Sequence, residues 1–208
     1  MKSQFIYLID AGHGGFKNGV YTTAPAKMHT FPDGLVIHEG MINRAIARYV
    51  WMNLVEIGID FKLVYDEHED DSLKTRVERV NAIVAKEERT CILISIHSNA
   101  SPEHTAIGNE IFVYTHASER SKKVAHIFCE TYIRELPEFN FRKHSNDQLF
   151  KQANHQITRE TKCPAILLEN LFFDERRQAE FLLSTVGQQQ IACAIVQAIQ
   201  NVEYLKPI

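Results

Sequence analysis

The chain has 208 residues, 45% of them hydrophobic and 24% charged, with a formal net charge of −3. That length supports one globular domain with a sizeable core, read as residues 1–208. The slightly acidic balance excludes a broad basic face, so no nucleic acid partner is expected, and no run of about 18 apolar residues marks a membrane span.

FIYLID (5–10) is an apolar run that reads as a first strand, followed by the turn AGHGG, which holds His13 among three glycines. Residues 16–38 are polar and contain proline. A helix is expected from about Glu39 to Ile57, where Ile42, Ile46, Tyr49, Val50 and Leu54 keep a helical period and Gly58 suits the residue after its end. FKLVY (61–65) is a second strand. Residues 70–88 form another helix, capped by Asp71 or Ser72, with Leu73, Val77, Val80, Ile83 and Val84 facing inward. CILISIH (91–97) is almost continuously apolar, as buried parallel strands are, and NEIFVYT (109–115) follows as a fourth strand. Residues 118–136 are helical up to Pro137, and 137–160 carry no clear period. AILLEN (165–170) is a fifth strand, and two helices close the chain near 174–184 and 186–202. The four cysteines form no CxxC pair. Cys91 and Cys193, inside CILISI and IACAIV, read as small buried hydrophobes.

Strands alternating with helices predict an α/β fold. Its form is a three-layer sandwich with a mostly parallel (mixed) central sheet flanked by helices on both faces. Ligands of such sheets gather at the carboxyl ends of the strands. Here those ends carry Asp10 and His13, then His97, Ser98 and Asn99, then Glu169 and Asn170, while His38-Glu39 opens a helix. Topology alone can bring two histidines and two glutamates to one rim. Two imidazoles and a carboxylate suit zinc with one open position, where a water is acidified to a pKa of about 7. A carboxylate off the metal can move the proton to a leaving amine, which completes the equipment for amide hydrolysis. Glu169, directly after AILL, is expected to be partly buried, where an unpaired carboxylate is costly unless it has a task.

LIDAGHGG, HEGMIN, ISIHSNA and PAILLEN, in that order, resemble the zinc-dependent N-acetylmuramoyl-L-alanine amidases of the amidase-3 type. GNEIFVY resembles that family's G-x-E strand, and the likeness covers nearly the whole chain. The resemblance implies one zinc per chain, bound by His13, Glu39 and His97, with Glu169 as the catalytic acid and base. The substrate it implies is peptidoglycan or a muropeptide, cut between N-acetylmuramic acid and L-alanine. A monomer that inserts in no membrane is expected. Two rivals are a non-catalytic wall-binding or regulatory homologue and a zinc peptidase acting on other peptides. The stretch 16–38 is longer than is usual in the family, and His38 competes with Glu39 as a ligand; Asn43, one turn on, matches the family's E-x-x-x-N and favours Glu39. No signal peptide is visible, so synthesis in the cytoplasm and release to the wall by another route are expected.

Four further residues are candidates, three of them with two readings each. Asp10 either orients a ligand imidazole or caps the His13 turn. Asn99 either binds substrate or stabilises its loop. Arg76 either meets a stem-peptide carboxylate or sits in a structural ion pair. Glu110 is a candidate hydrogen-bond partner for substrate. The cluster Arg142-Lys143-His144 reads as a solvated loop that could also touch anionic wall polymer.

Overall fold

The computed structural model describes residues 3–145 and 147–204. Six strands form one sheet: β1 (Ile6–Ala11), β6 (Phe61–Leu63), β7 (Cys91–Asn99), β8 (Glu110–Tyr114), β9 (Lys151–Ala153) and β10 (Ala165–Phe172). Their spatial order is β6-β1-β7-β10-β8-β9. All neighbours are parallel except β10 and β8, which run antiparallel, so the sheet is mixed as expected. Residues 16–38 fold as a strap of two small hairpins, β2 (Phe16–Lys17) with β3 (Val20–Tyr21), and β4 (Met28–Thr30) with β5 (Val36–His38).

The two faces of the sheet are separated by the two-residue period of the strands. Tyr7, Ile9, Ile92, Ile94, Ile96, Ile166 and Leu168 belong to the larger core, completed by α1 (Glu39–Ile57), α3 (Glu119–Glu135), α5 (Arg176–Leu183) and α6 (Thr185–Glu203). Ile6, Leu8, Leu93, Ala165 and Leu167 belong to the smaller one, under α2 (Leu73–Val84) and α4 (Gln156–Glu160). Carrying that alternation to the strand ends puts Asp10, Ser95, His97 and Glu169 on the second, thinner face.

Ser72 is the cap of α2, accepting from Thr75 N, and Gly58 ends α1 at φ 71°. Two expectations are corrected. Leu73 does not face the core: it is half exposed, because the first turn of α2 stands at the open rim. Cys193 is exposed, on the outer side of α6, while Cys91 is buried. The unassigned stretch 137–160 contains β9 and α4, both too short to show a period.

Candidate metal centre

The site starts at the turn after β1. His13 has φ 63°, a left-handed conformation that strains a side chain bearing a Cβ. Two buried arginines hold it there: Arg44 Nη2 and Arg76 Nη2 donate to the His13 carbonyl at 2.8 and 2.6 Å. The glycine beside it is a matter of space. A Cβ on Gly12 would lie 2.0 Å from His97 Cε1. The glycine-rich turn therefore lets one imidazole pass beneath while the other is held out.

Glu39 enters from the first turn of α1, where the helix dipole favours a carboxylate. Its two oxygens receive the two histidines, His13 Nε2 at 3.2 Å from Oε2 and His97 Nδ1 at 3.1 Å from Oε1. The imidazole rings stand edge to face, 5.0 Å apart. One ligand atom from each of the three residues lies within 4.8 Å of the others. Glu39 is 1% exposed, yet Oε2 has no partner in hydrogen-bond geometry, so a buried lone pair is left over. A divalent cation would satisfy that lone pair, and two neutral imidazoles with one carboxylate are a donor set that suits zinc. His38 is excluded from this group. Its ring packs on Tyr21 and Phe16 of the strap.

Burial opposes ionisation of Glu39, but the imidazoles of His13 and His97 beside it reverse this and hold its carboxyl well below the usual range. Burial lowers the pKa of His13. At His97 burial is outweighed by the bond and charge of Glu39, and the pKa is raised. Glu169 lies beside His97 in the β7–β10 register, with Oε2 buried and unpartnered. Burial pushes its pKa up to about 8. Leu171, at φ 59°, lies in the irregularity just beyond Glu169, after which the β7–β10 ladder resumes at Phe172 opposite Asn99.

A family profile for N-acetylmuramoyl-L-alanine amidase matches residues 8–201. The chain belongs to that family. It is a peptidoglycan amidase, a cell-wall hydrolase. The amidase is 22% identical over 204 residues to an endolysin of Bacillus phage SPP1, covering 98% of this chain and 68% of that protein. Among solved structures it is similar to an N-acetylmuramoyl-L-alanine amidase from Clostridium difficile 630, with TM-score 0.75, 25% identity and 95% of each chain covered. An amidase from Mycobacterium smegmatis shares the fold at TM-score 0.78 and 15% identity, over 97% of each chain.

The amidase's remaining candidate residues fall on two sides of this centre. Asp10 and Arg76 meet in a buried ion pair at 2.7 Å, and Ser95 Oγ donates to the other Asp10 oxygen at 2.6 Å. Asp10 therefore holds Arg76 and touches neither imidazole. Arg76 spends its other donors on the carbonyls of Ala11, His13 and Asp71. On the opposite side, Asn99 Nδ2 donates to Glu110 Oε2 at 2.8 Å, and Glu110 sits directly across from Glu169 on β8. Asn43 Nδ2 donates to Glu39 Oε1 and to the Gly12 carbonyl, both at 3.3 Å.

Three residues here escaped the sequence reading. Arg44 is 2% exposed and donates to the backbone of Gly12, His13, Gly40, Asp66 and Glu67, tying the turn, the helix start and the 66–69 loop together. Lys27 of the strap brings Nζ to 3.8 Å from Glu39 Oε2. Lys151 joins Glu110 on the far side. Their partners are remote in the chain, and no local spacing signals them.

Proposed function

We propose that this amidase hydrolyses the bond between the lactyl group of N-acetylmuramic acid and the L-alanine of the peptide stem, with one zinc ion held by His13, Glu39 and His97. The observation that carries the reading is the buried Glu39 carboxylate, met by two imidazoles and left with an unpartnered oxygen at the strand rim beside Glu169. Bound there, zinc supplies Lewis acidity for a carbonyl and makes water acidic near neutral pH. Glu169 is the proton carrier. With an ion held at the three ligands it would be ionised, and it would accept a proton at Oε2 from the attacking water and pass it to the departing alanine nitrogen. Its burial favours the protonated form, so the proton is retained long enough to be delivered. Arg44 and Arg76 do not touch the reacting atoms; they keep the His13 turn in its strained geometry.

This reading includes a single catalytic domain over residues 1–208 that works as a monomer on the cell wall. No described helix is long and apolar enough to cross a membrane. The test is digestion of purified peptidoglycan, scoring new L-alanine amino groups with and without a chelator. Release that stops with the chelator and returns with zinc is expected. Cleavage only between amino acids would point to a peptidase, and binding without release to a wall-binding homologue.

A further inference from the structure

The metal centre has two flanks of opposite charge. On the α2 flank, Asp10, His13, Asp70, Asp71, Leu73 and Arg76 help to line a cavity of about 280 Å³. Its arginine is 3% exposed and is spent on Asp10 and three backbone carbonyls. What this flank turns outward is Asp70, 3.6 Å from Arg76 Nη2, with Asp71 paired to Arg79. Three carboxylates against two guanidiniums leave no unspent cation there for a negative group on a substrate.

The β8–β9 flank is built the other way. Glu110, 5% exposed, takes Arg142 Nε on Oε1 at 2.6 Å, and Lys151 Nζ contacts the same oxygen. Asn99 occupies Oε2. Two cations thus share one carboxylate, and one positive charge is left uncompensated. Arg142 spends only Nε: among the described residues no acceptor meets its Nη atoms. Its guanidinium carbon lies 5.3 Å from the Phe172 ring centroid, which fixes the orientation of the fork. Lys151 Nζ is held 6.0 Å from the Phe112 ring centroid. An ordered, half-exposed guanidinium edge with a second cation beside it matches a planar carboxylate.

We infer that Arg142 and Lys151, anchored on Glu110, form a subsite for the free α-carboxylate of the stem's second residue. Such a carboxylate is free where the second residue is joined onward through its side chain. The inference rests on the amidase reading above and extends it to the direction of the peptide. Spacing supports it. Glu110 is one interstrand distance, about 5 Å, from Glu169, and Arg142 Nε lies 2.6 Å from Glu110 Oε1. Successive Cα atoms are about 3.8 Å apart, and the second residue's carboxylate therefore reaches roughly 7 Å from the scissile carbonyl. The peptide then runs from Glu169 across β8 toward β9, away from Asp70 and Asp71.

The test uses a matched pair of muramoyl peptides, one with this α-carboxylate free and one with it amidated. Steady-state kinetics on the native amidase are expected to give a KM at least about tenfold lower for the acid, with kcat little different, as a charged hydrogen bond made before and during reaction predicts. Arg142→Gln is expected to erase the acid-over-amide preference. Glu110 keeps Lys151 and Asn99 in that variant, and an unchanged melting temperature confirms that the fold is intact. Equal KM values for the two peptides in the native protein, or a preference that survives Arg142→Gln, would overturn the subsite. Whole peptidoglycan assayed in parallel separates the two readings. If it too yields no alanine amino groups, the amidase reading fails and the subsite fails with it. If it is cleaved while the acid is not preferred, only the subsite fails.

Discussion

Arg76 and Arg142 each meet a buried carboxylate at 2.7 Å or less, on opposite sides of the candidate metal centre, and they do different work. Arg76 gives every nitrogen to the protein itself, and three of its acceptors are backbone carbonyls of the turns it holds. Arg142 gives one nitrogen and keeps the rest. Residue type and partner type are the same. What differs is how many donors the chain's own carbonyls consume, and that decides whether an arginine builds a site or serves it.

The largest expected effect comes from breaking the spent side. Arg76→Met leaves Asp10 buried with only Ser95 as partner and frees the strained His13 turn. Removing one member of a buried pair costs about 3–5 kcal/mol, and for a chain of this size that lowers the melting temperature by roughly 10 °C. Thermal denaturation measures it, and zinc content is expected to fall in the same variant. A melting temperature within a degree or two of the native value would make Arg76 a mere neighbour of the site.

A smaller effect separates Glu169 from both arginines. Its folded pKa, about 8, lies above the ordinary 4.5. The folded chain therefore holds a proton that the unfolded chain has lost, and stability declines as pH rises between those values. Chelator-treated protein is expected to denature more readily at pH 8 than at pH 5. Glu169→Gln is expected to flatten that part of the profile and to raise the stability at pH 8, at the expense of turnover. A pH slope unchanged by the substitution would show that Glu169 ionises freely.

The smallest effect is expected at Arg142. Its pair with Glu110 is partly exposed, and Lys151 remains to satisfy the carboxylate. Arg142→Gln should cost under about 1 kcal/mol by denaturant titration. A loss as large as that of Arg76→Met would mean that the two flanks are built alike.

Much of this layout is legible in the sequence, for physical reasons. The strand runs are apolar because both faces are covered, and their polar ends mark the rim. His13, His97 and Glu169 stand out because a charged or titratable group follows directly on such a run. Glu39 stands out through the helix start and Asn43. The supporting arginines are less visible. Arg44 lies on a helix next to Asn43, and only the fold reveals that backbone carbonyls from separate segments surround it. Arg142 and Lys151 sit in the stretch without periodicity, where β9 is three residues long and exists by pairing with β8. Leu73 misleads for the opposite reason. It keeps the helical period of α2, but the helix begins beyond the core.

The most direct test of the central claim is zinc stoichiometry measured alongside turnover of peptidoglycan, in the native protein and in Glu169→Gln, with His97→Ala as the reference for a lost ligand. One zinc per chain is expected in the first two, with turnover reduced at least about 100-fold in Glu169→Gln and neither zinc nor turnover in His97→Ala. Zinc lost from Glu169→Gln, or turnover retained by it, would contradict the division of labour between three ligands and one proton carrier.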